Sequence, residues 1–154
     1  MRKSLSAGIL SVVFMAAASL FGAAPTASAA EVPCNGFTNV LAWGSWYLHV
    51  PSTSGGSGNY NCVVVRGNHN IAVLVVQESL NACYAQSIGE DSDFGPATEQ
   101  AMKNAQTRIN QYWGTNVLSV DGRFGPKTSS YFEFQAYDYS GGQDGGHTGI
   151  CYQR

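Results

Sequence analysis

The chain has 154 residues, a formal net charge of −2 and four cysteines. That length supports one modest domain and excludes two large cores. A mildly acidic chain with no basic cluster is a poor partner for nucleic acid.

The N-terminus reads as an export signal. Arg2 and Lys3 precede the apolar run "AGILSVVFMAAASLFGAA", and "PTASAA" closes it with small residues. Ala27-Ser28-Ala29 fits the small-x-small cleavage rule, so residues 1–30 are expected to be a signal peptide and the mature protein to be secreted, extracellular or wall-associated. An even number of cysteines in an exported chain reads as two disulfides. Cys62–Cys151 would clasp the two ends of the domain, and Cys34–Cys83 would anchor the N-terminal arm to the first helix. Cys34–Cys62 with Cys83–Cys151 is the alternative. No metal or cofactor is expected, because pairing Cys62 with His69, or Cys151 with His147, gives no usual zinc spacing.

Residues 31–65 form an aromatic-rich extension. "NVLAWGSWYLHVPST" and "NYNCVVVRG" are β-prone runs separated by "SGGSG", which suggests a hairpin with a long loop. Trp43, Trp46 or Tyr47 would pack that hairpin against the remainder. From residue 70 the spacing becomes helical, with Val73, Val76, Gln77, Leu80 and Tyr84 on one face. Helices are expected over 70–84, 96–112 and 126–137. Pro96 and Pro126 suit a first helical position. Gly114 suits a C-cap. Residues 140–154 are a glycine-rich tail that Cys151 ties down.

One phrase occurs twice. "DSDFGPAT" at 91–98 returns as "DGRFGPKT" at 121–128. Each stands before a helix. Asp91 and Asp121 can turn back on nearby backbone N–H groups. Phe94 and Phe124 are the large apolar plugs of the two loops. Gln77, Gln106 and Gln135 are spaced 29 apart, so helix, loop and helix start recur together, with both loops expected on the same side.

"AVLVVQESLNACY", "DSDFGPATEQAMKNAQ" and "LSVDGRFGPKT" together resemble the peptidoglycan-binding domain family of bacterial cell-wall proteins, over residues 66 to about 137. The resemblance implies a mainly α fold: a compact three-helix bundle over 66–139, with the hairpin-like extension added to it. It also implies non-catalytic binding of peptidoglycan, through its glycan strand or stem peptide, by a monomer. Ser92 stands where the family has Gly, and Ala105 where it has Phe. The groove near the two loops is the expected contact surface, with Asp91, Asp121, Arg123 and Lys127 as polar partners. Tyr112 and Trp113 would offer flat faces to sugar rings.

No catalytic set is visible. Glu90, Asp91 and Asp93 cluster in a repeat loop, and His49, His69 and His147 lie in three separate segments. The chain is therefore expected not to be an enzyme. A small wall hydrolase and a protein-interaction module are the competing classes.

Overall fold

The computed structural model describes residues 30–141 and 146–154. The expected signal peptide lies outside these residues, apart from Ala30. Strand β1 (Gly36–Trp43) and strand β2 (Trp46–Ser52) come first. Helices α1 (Ile71–Tyr84), α2 (Pro96–Trp113) and α3 (Pro126–Tyr131) follow. Strands β3 (Glu133–Asp138) and β4 (His147–Gln153) end the chain. The strands make one antiparallel sheet in the order β1-β2-β3-β4.

The fold is therefore mixed α/β, and the expectation of a mainly α three-helix bundle is corrected. The third helix ends at Tyr131 because Phe132 turns extended, at φ −82° and ψ 138°. Beyond it Phe132, Phe134 and Ala136 share one face of the segment in the core, each 0% exposed, while Gln135 and Tyr137 on the other face are buried as well, at 4% each. That is a period of two, and β2 and β4 complete the hydrogen bonding on either side. The glycine-rich tail supplies β4, and the N-terminal extension supplies β1 and β2, so one sheet joins both ends of the chain.

The hairpin also turns at a different place. β1 and β2 are joined at Gly44-Ser45, where Gly44 has φ 59°. A two-residue connection of this kind suits the twist of antiparallel strands. The "SGGSG" stretch instead folds back on β1, with Gly56 N–H donating to the Phe37 carbonyl at 3.0 Å. The approach is close: a Cβ on Gly36 would lie 2.4 Å from the Gly55 nitrogen. Leu48 and Val50 carry the burial of the hairpin, Trp46 packs at the margin of the core, and Trp43 stays 68% exposed.

Both predicted plugs are buried, Phe94 at 0% and Phe124 at 1% exposure, each worth about 1.5–3 kcal/mol. Phe124, Phe132 and Phe134 meet edge to face, the first pair 5.4 Å and the second 5.2 Å apart. The segment 64–70 lies against both repeated loops. Val64 and Phe124 exchange backbone hydrogen bonds at 2.7 and 3.0 Å, and Phe94 N–H donates to the Asn68 carbonyl at 2.9 Å.

The disulfides are Cys34–Cys62 and Cys83–Cys151, which overturns the expected Cys62–Cys151 and Cys34–Cys83. Local pairing explains the first: Cys34 N–H donates to the Val63 carbonyl, and Val63 N–H to Val32, so Cys62 is held beside Cys34. The second follows from β4, which lies beside β3 and so brings Cys151 to α1. No cysteine is left for a metal, and two disulfides fit an exported protein. Among the described residues no helix is long and apolar enough to cross a membrane.

Non-reducing peptide mapping should recover Cys34–Cys62 and Cys83–Cys151. Replacing Cys83 and Cys151 together by Ala should lower unfolding free energy by about 2–5 kcal/mol, measured by denaturant titration.

Candidate functional site

The two repeated loops are built by one arrangement used twice. The Gln77 amide nitrogen donates to the Asp91 carboxylate at 2.8 Å, the Asp93 carbonyl at 3.0 Å and the Thr98 hydroxyl at 3.1 Å. Its amide oxygen accepts from Ser92 N–H at 2.9 Å. Gln106 repeats this with Asp121 at 2.8 Å, the Arg123 carbonyl at 3.0 Å, Thr128 at 3.5 Å and Gly122 N–H at 2.8 Å. Both glutamines are 1% exposed. A buried amide costs free energy unless its donors and acceptor are all used, and here they are.

A second pair of clamps lies one turn further along each helix. Asn81 exchanges hydrogen bonds with the backbone of Ile88 at 2.9 and 3.0 Å. Asn110 does the same with Leu118 at 2.9 and 2.8 Å. Helix and following loop are thus locked at two points in each repeat.

Asp91 and Asp121 are consequently loop organisers. Each carboxylate also accepts from the backbone N–H two residues on, at 3.0 Å for Asp93 and 2.9 Å for Arg123. The Asp93 N–H, and then the Gln77 amide, hold the Asp91 carboxyl below the usual carboxylate range. Ser92 takes the left-handed conformation of its counterpart, at φ 64° against 77° for Gly122. The departure from Gly therefore leaves the loop shape intact and places strain in it.

The six expected contact residues do not share one groove. Asp121 and Arg123 border a small polar cleft of about 220 Å³ with Arg66 and Glu99. There Glu99 bridges Arg66 at 3.5 Å and Lys103 at 2.6 Å, while Arg123 pairs with Glu31. Lys103 holds the Glu99 carboxyl below its usual range. Asp91 lies in the other loop, and Lys127 is exposed in the first turn of α3.

Tyr112 and Trp113 lie at the far end of α2, nine and ten residues beyond Lys103, which is about 15 Å along a helix. Tyr112 is 85% exposed, and Trp113 is 49% exposed. They meet edge to face at 5.9 Å, and Trp113 meets Tyr131 in the same way at 5.7 Å. These rings line a cleft of about 190 Å³ together with Tyr84, Arg108 and Glu133.

The floor of that cleft is fixed. Tyr84 is 5% exposed, stacks on Phe132 at 4.7 Å and accepts from Glu133 N–H at 2.7 Å. Burial pushes its phenol well above the ordinary tyrosine range, so it stays neutral. The Arg108 guanidinium lies 5.9 Å from the centre of the Tyr84 ring. Neither Arg108 nor Tyr131 is among the contact residues expected from the sequence. Arg108 was legible, standing one helical turn before Tyr112 on the same face. Tyr131 was not, because its approach to Trp113 depends on where α3 ends.

The arrangement presents flat apolar rings at a rim and charged and amide groups within reach. It suits a ligand with apolar faces and polar edges. No protein-family model, curated protein or solved structure matches this chain.

Three outcomes test the loops. Ser92→Gly should raise unfolding free energy by about 0.5–1 kcal/mol by relieving left-handed strain. Gly122→Ala should cost about 2 kcal/mol or more, since its Cβ would lie 2.7 Å from Glu99 Cγ and 3.0 Å from the Glu99 carbonyl oxygen. A carboxyl whose pKa is lowered by folding stabilises above its unfolded value of about 3.9 and loses that contribution as pH falls through the folded value. Asp91→Asn should therefore be less stable than wild type at pH 7, with the difference closing below about pH 4.

Proposed function

We propose that this protein binds bacterial cell-wall peptidoglycan without cleaving it, and that the cleft at the end of α2 receives the sugar rings. The observation that carries the site is the exposed pair Tyr112 and Trp113 beside Tyr131. Large rings left in water at one rim mark a contact surface more often than chance packing. Sugars offer C–H faces that stack on such rings, and their hydroxyl and N-acetyl groups would reach Arg108, Glu133 and Gln153. The choice of peptidoglycan among glycans rests on the doubled Asp-x-x-Phe-Gly-Pro-x-Thr phrase and its intervening helices. The clamped glutamines give that phrase a scaffold role, which leaves recognition to residues that scaffolding does not use.

Sedimentation of the mature protein with insoluble peptidoglycan, with chitin and cellulose as controls, is the direct test. Wild type should pellet with peptidoglycan and release no muropeptides. Trp113→Ala and Tyr112→Ala should each weaken retention by about tenfold or more, with helicity and thermal melting unchanged. Arg123→Ala should bind as wild type. Equal retention of both aromatic variants would move the site away from this cleft, and failure of the wild-type protein to pellet would defeat the reading.

A further inference from the structure

Two opposite charges line the cleft at the end of α2. Among the described residues that border it, Arg108 is the only cation and Glu133 the only anion. Elsewhere the chain pairs arginines with its own carboxylates: Arg66 bridges Glu99 at 3.5 Å, and Arg123 pairs with Glu31. Arg108 is bridged to no carboxylate among the described residues, although Glu133 shares its cleft. Its guanidinium lies against the neutral Tyr84 ring, 5.9 Å from the centre. No acceptor among these residues takes its N–H donors. An unfilled guanidinium fork matches a carboxylate, through two parallel N–H···O bonds.

Tyr84 also fixes the anion. Its hydroxyl accepts from Glu133 N–H at 2.7 Å, so one buried side chain holds both charged residues in place. An ionised Glu side chain only accepts hydrogen bonds, so it suits an amide N–H and opposes a second acid. Gln153, the other polar group here, already donates to the Ser130 carbonyl at 2.7 Å. The cleft measures about 190 Å³, below the range of about 300–1,000 Å³ that encloses a drug-sized ligand. It therefore suits one unit of a larger molecule, with the rings of Tyr112 and Trp113 at its rim.

We propose that Arg108 selects a sugar unit that carries its own free carboxylate, and that Glu133 accepts the N–H of an N-acetyl group on the same unit. This rests on the reading of the cleft as the peptidoglycan site, and it names the part of the polymer that enters. In peptidoglycan that unit is an N-acetylmuramic acid whose lactyl group holds no stem peptide. Where the peptide is attached, an amide replaces the carboxylate and the Arg108 fork loses its anion. The sugar face lies on the rim rings, and the carboxylate reaches back one helical turn to Arg108.

The test is NMR titration of the mature protein, following the Trp113 indole N–H signal. The probes are soluble peptide-free glycan strands of peptidoglycan, the same strands with their lactyl carboxylates converted to methylamides, and chitotetraose. All three should shift the Trp113 signal saturably. The acid strands should bind about tenfold more tightly than the other two, the margin of a charge-assisted hydrogen bond. Arg108→Gln, at an exposed helix position, should abolish that margin, with helicity unchanged and chitotetraose affinity as in wild type. Arg108→Lys, which keeps the charge and loses the fork, should retain only part of it. The methylamide comparison uses wild-type protein alone, so it decides the matter even if a substitution disturbs α2. Equal affinity for acid and methylamide strands, an undiminished margin in Arg108→Gln, or tighter binding of Nα-acetyl-D-alanyl-D-alanine than of the acid strands at Trp113 would overturn the proposal. Equal affinity with shifts at Trp113 would leave the cleft a sugar site. Absence of any shift there with all three glycans would overturn both this proposal and the reading on which it rests, so the two failures are distinguishable.

Discussion

The buried glutamine amide is the constraint on which the helical part of this fold depends. Gln77 and Gln106 each stand in a core that would reject an unpaired amide, and each is satisfied only when the following loop wraps back to supply its Asp, its backbone and its Thr. The loop cannot drift without stranding a buried donor, and the helix cannot rotate without losing the same bonds. Asp, Gln and Thr are therefore fixed together. The next helix must begin where Thr98 or Thr128 falls in its first turn, at Pro96 or Pro126. A phrase repeated in sequence is thus a polar clamp repeated in space.

The third glutamine shows what happens without a clamp. Gln135 keeps the spacing of 29 but has no Asp-x-x-Phe-Gly-Pro-x-Thr phrase after it. No loop returns to occupy an amide in a helical core, so the local alternation of Phe132, Phe134 and Ala136 prevails and the segment is a strand. Its backbone is satisfied from three directions: β2, β4 and the Ser79 hydroxyl, which lies 3.4 Å from Gln135 N–H. The chain follows the helical repeat for two copies and closes the core with a sheet in place of a third.

This divides what was legible from what was not. The starts of α2 and α3, the Gly114 cap, the two Phe plugs and the equivalence of the loops all rest on local chemistry, and sequence carries local chemistry well. The strands β3 and β4 rest on partners far away in the chain. "EFQAYD" reads as helix continuation until the N-terminal hairpin and the C-terminal tail stand on either side of it. The disulfides fail for the same reason, because Cys151 reaches Cys83 only once β4 exists. The hairpin turn is a different case: Trp-Gly-Ser-Trp was a local signal, obscured by the more conspicuous glycines of "SGGSG". At the candidate site, Tyr112 and Trp113 were legible as side chains facing a loop. Their separation from Arg123 was not, since it depends on which end of α2 the second loop touches.

The same division bears on where recognition can lie. Residues engaged in the clamps are spent on holding shape: a ligand that pulled Asp91 or Asp121 outward would leave a buried glutamine unsatisfied, at a cost of about 1–3 kcal/mol. On the proposed reading, recognition therefore belongs on surfaces that the clamps hold rigid but do not use. One such surface lies at the end of α2. The rim of Tyr112, Trp113 and Tyr131 stands where α2 ends, just before Asn110's partner Leu118 turns the chain back. That rim is built from residues outside the repeated phrase. The repeat supplies a stiff frame, and the end of α2 and the sheet, which lie outside the repeated phrase, carry the surfaces that the clamps do not consume.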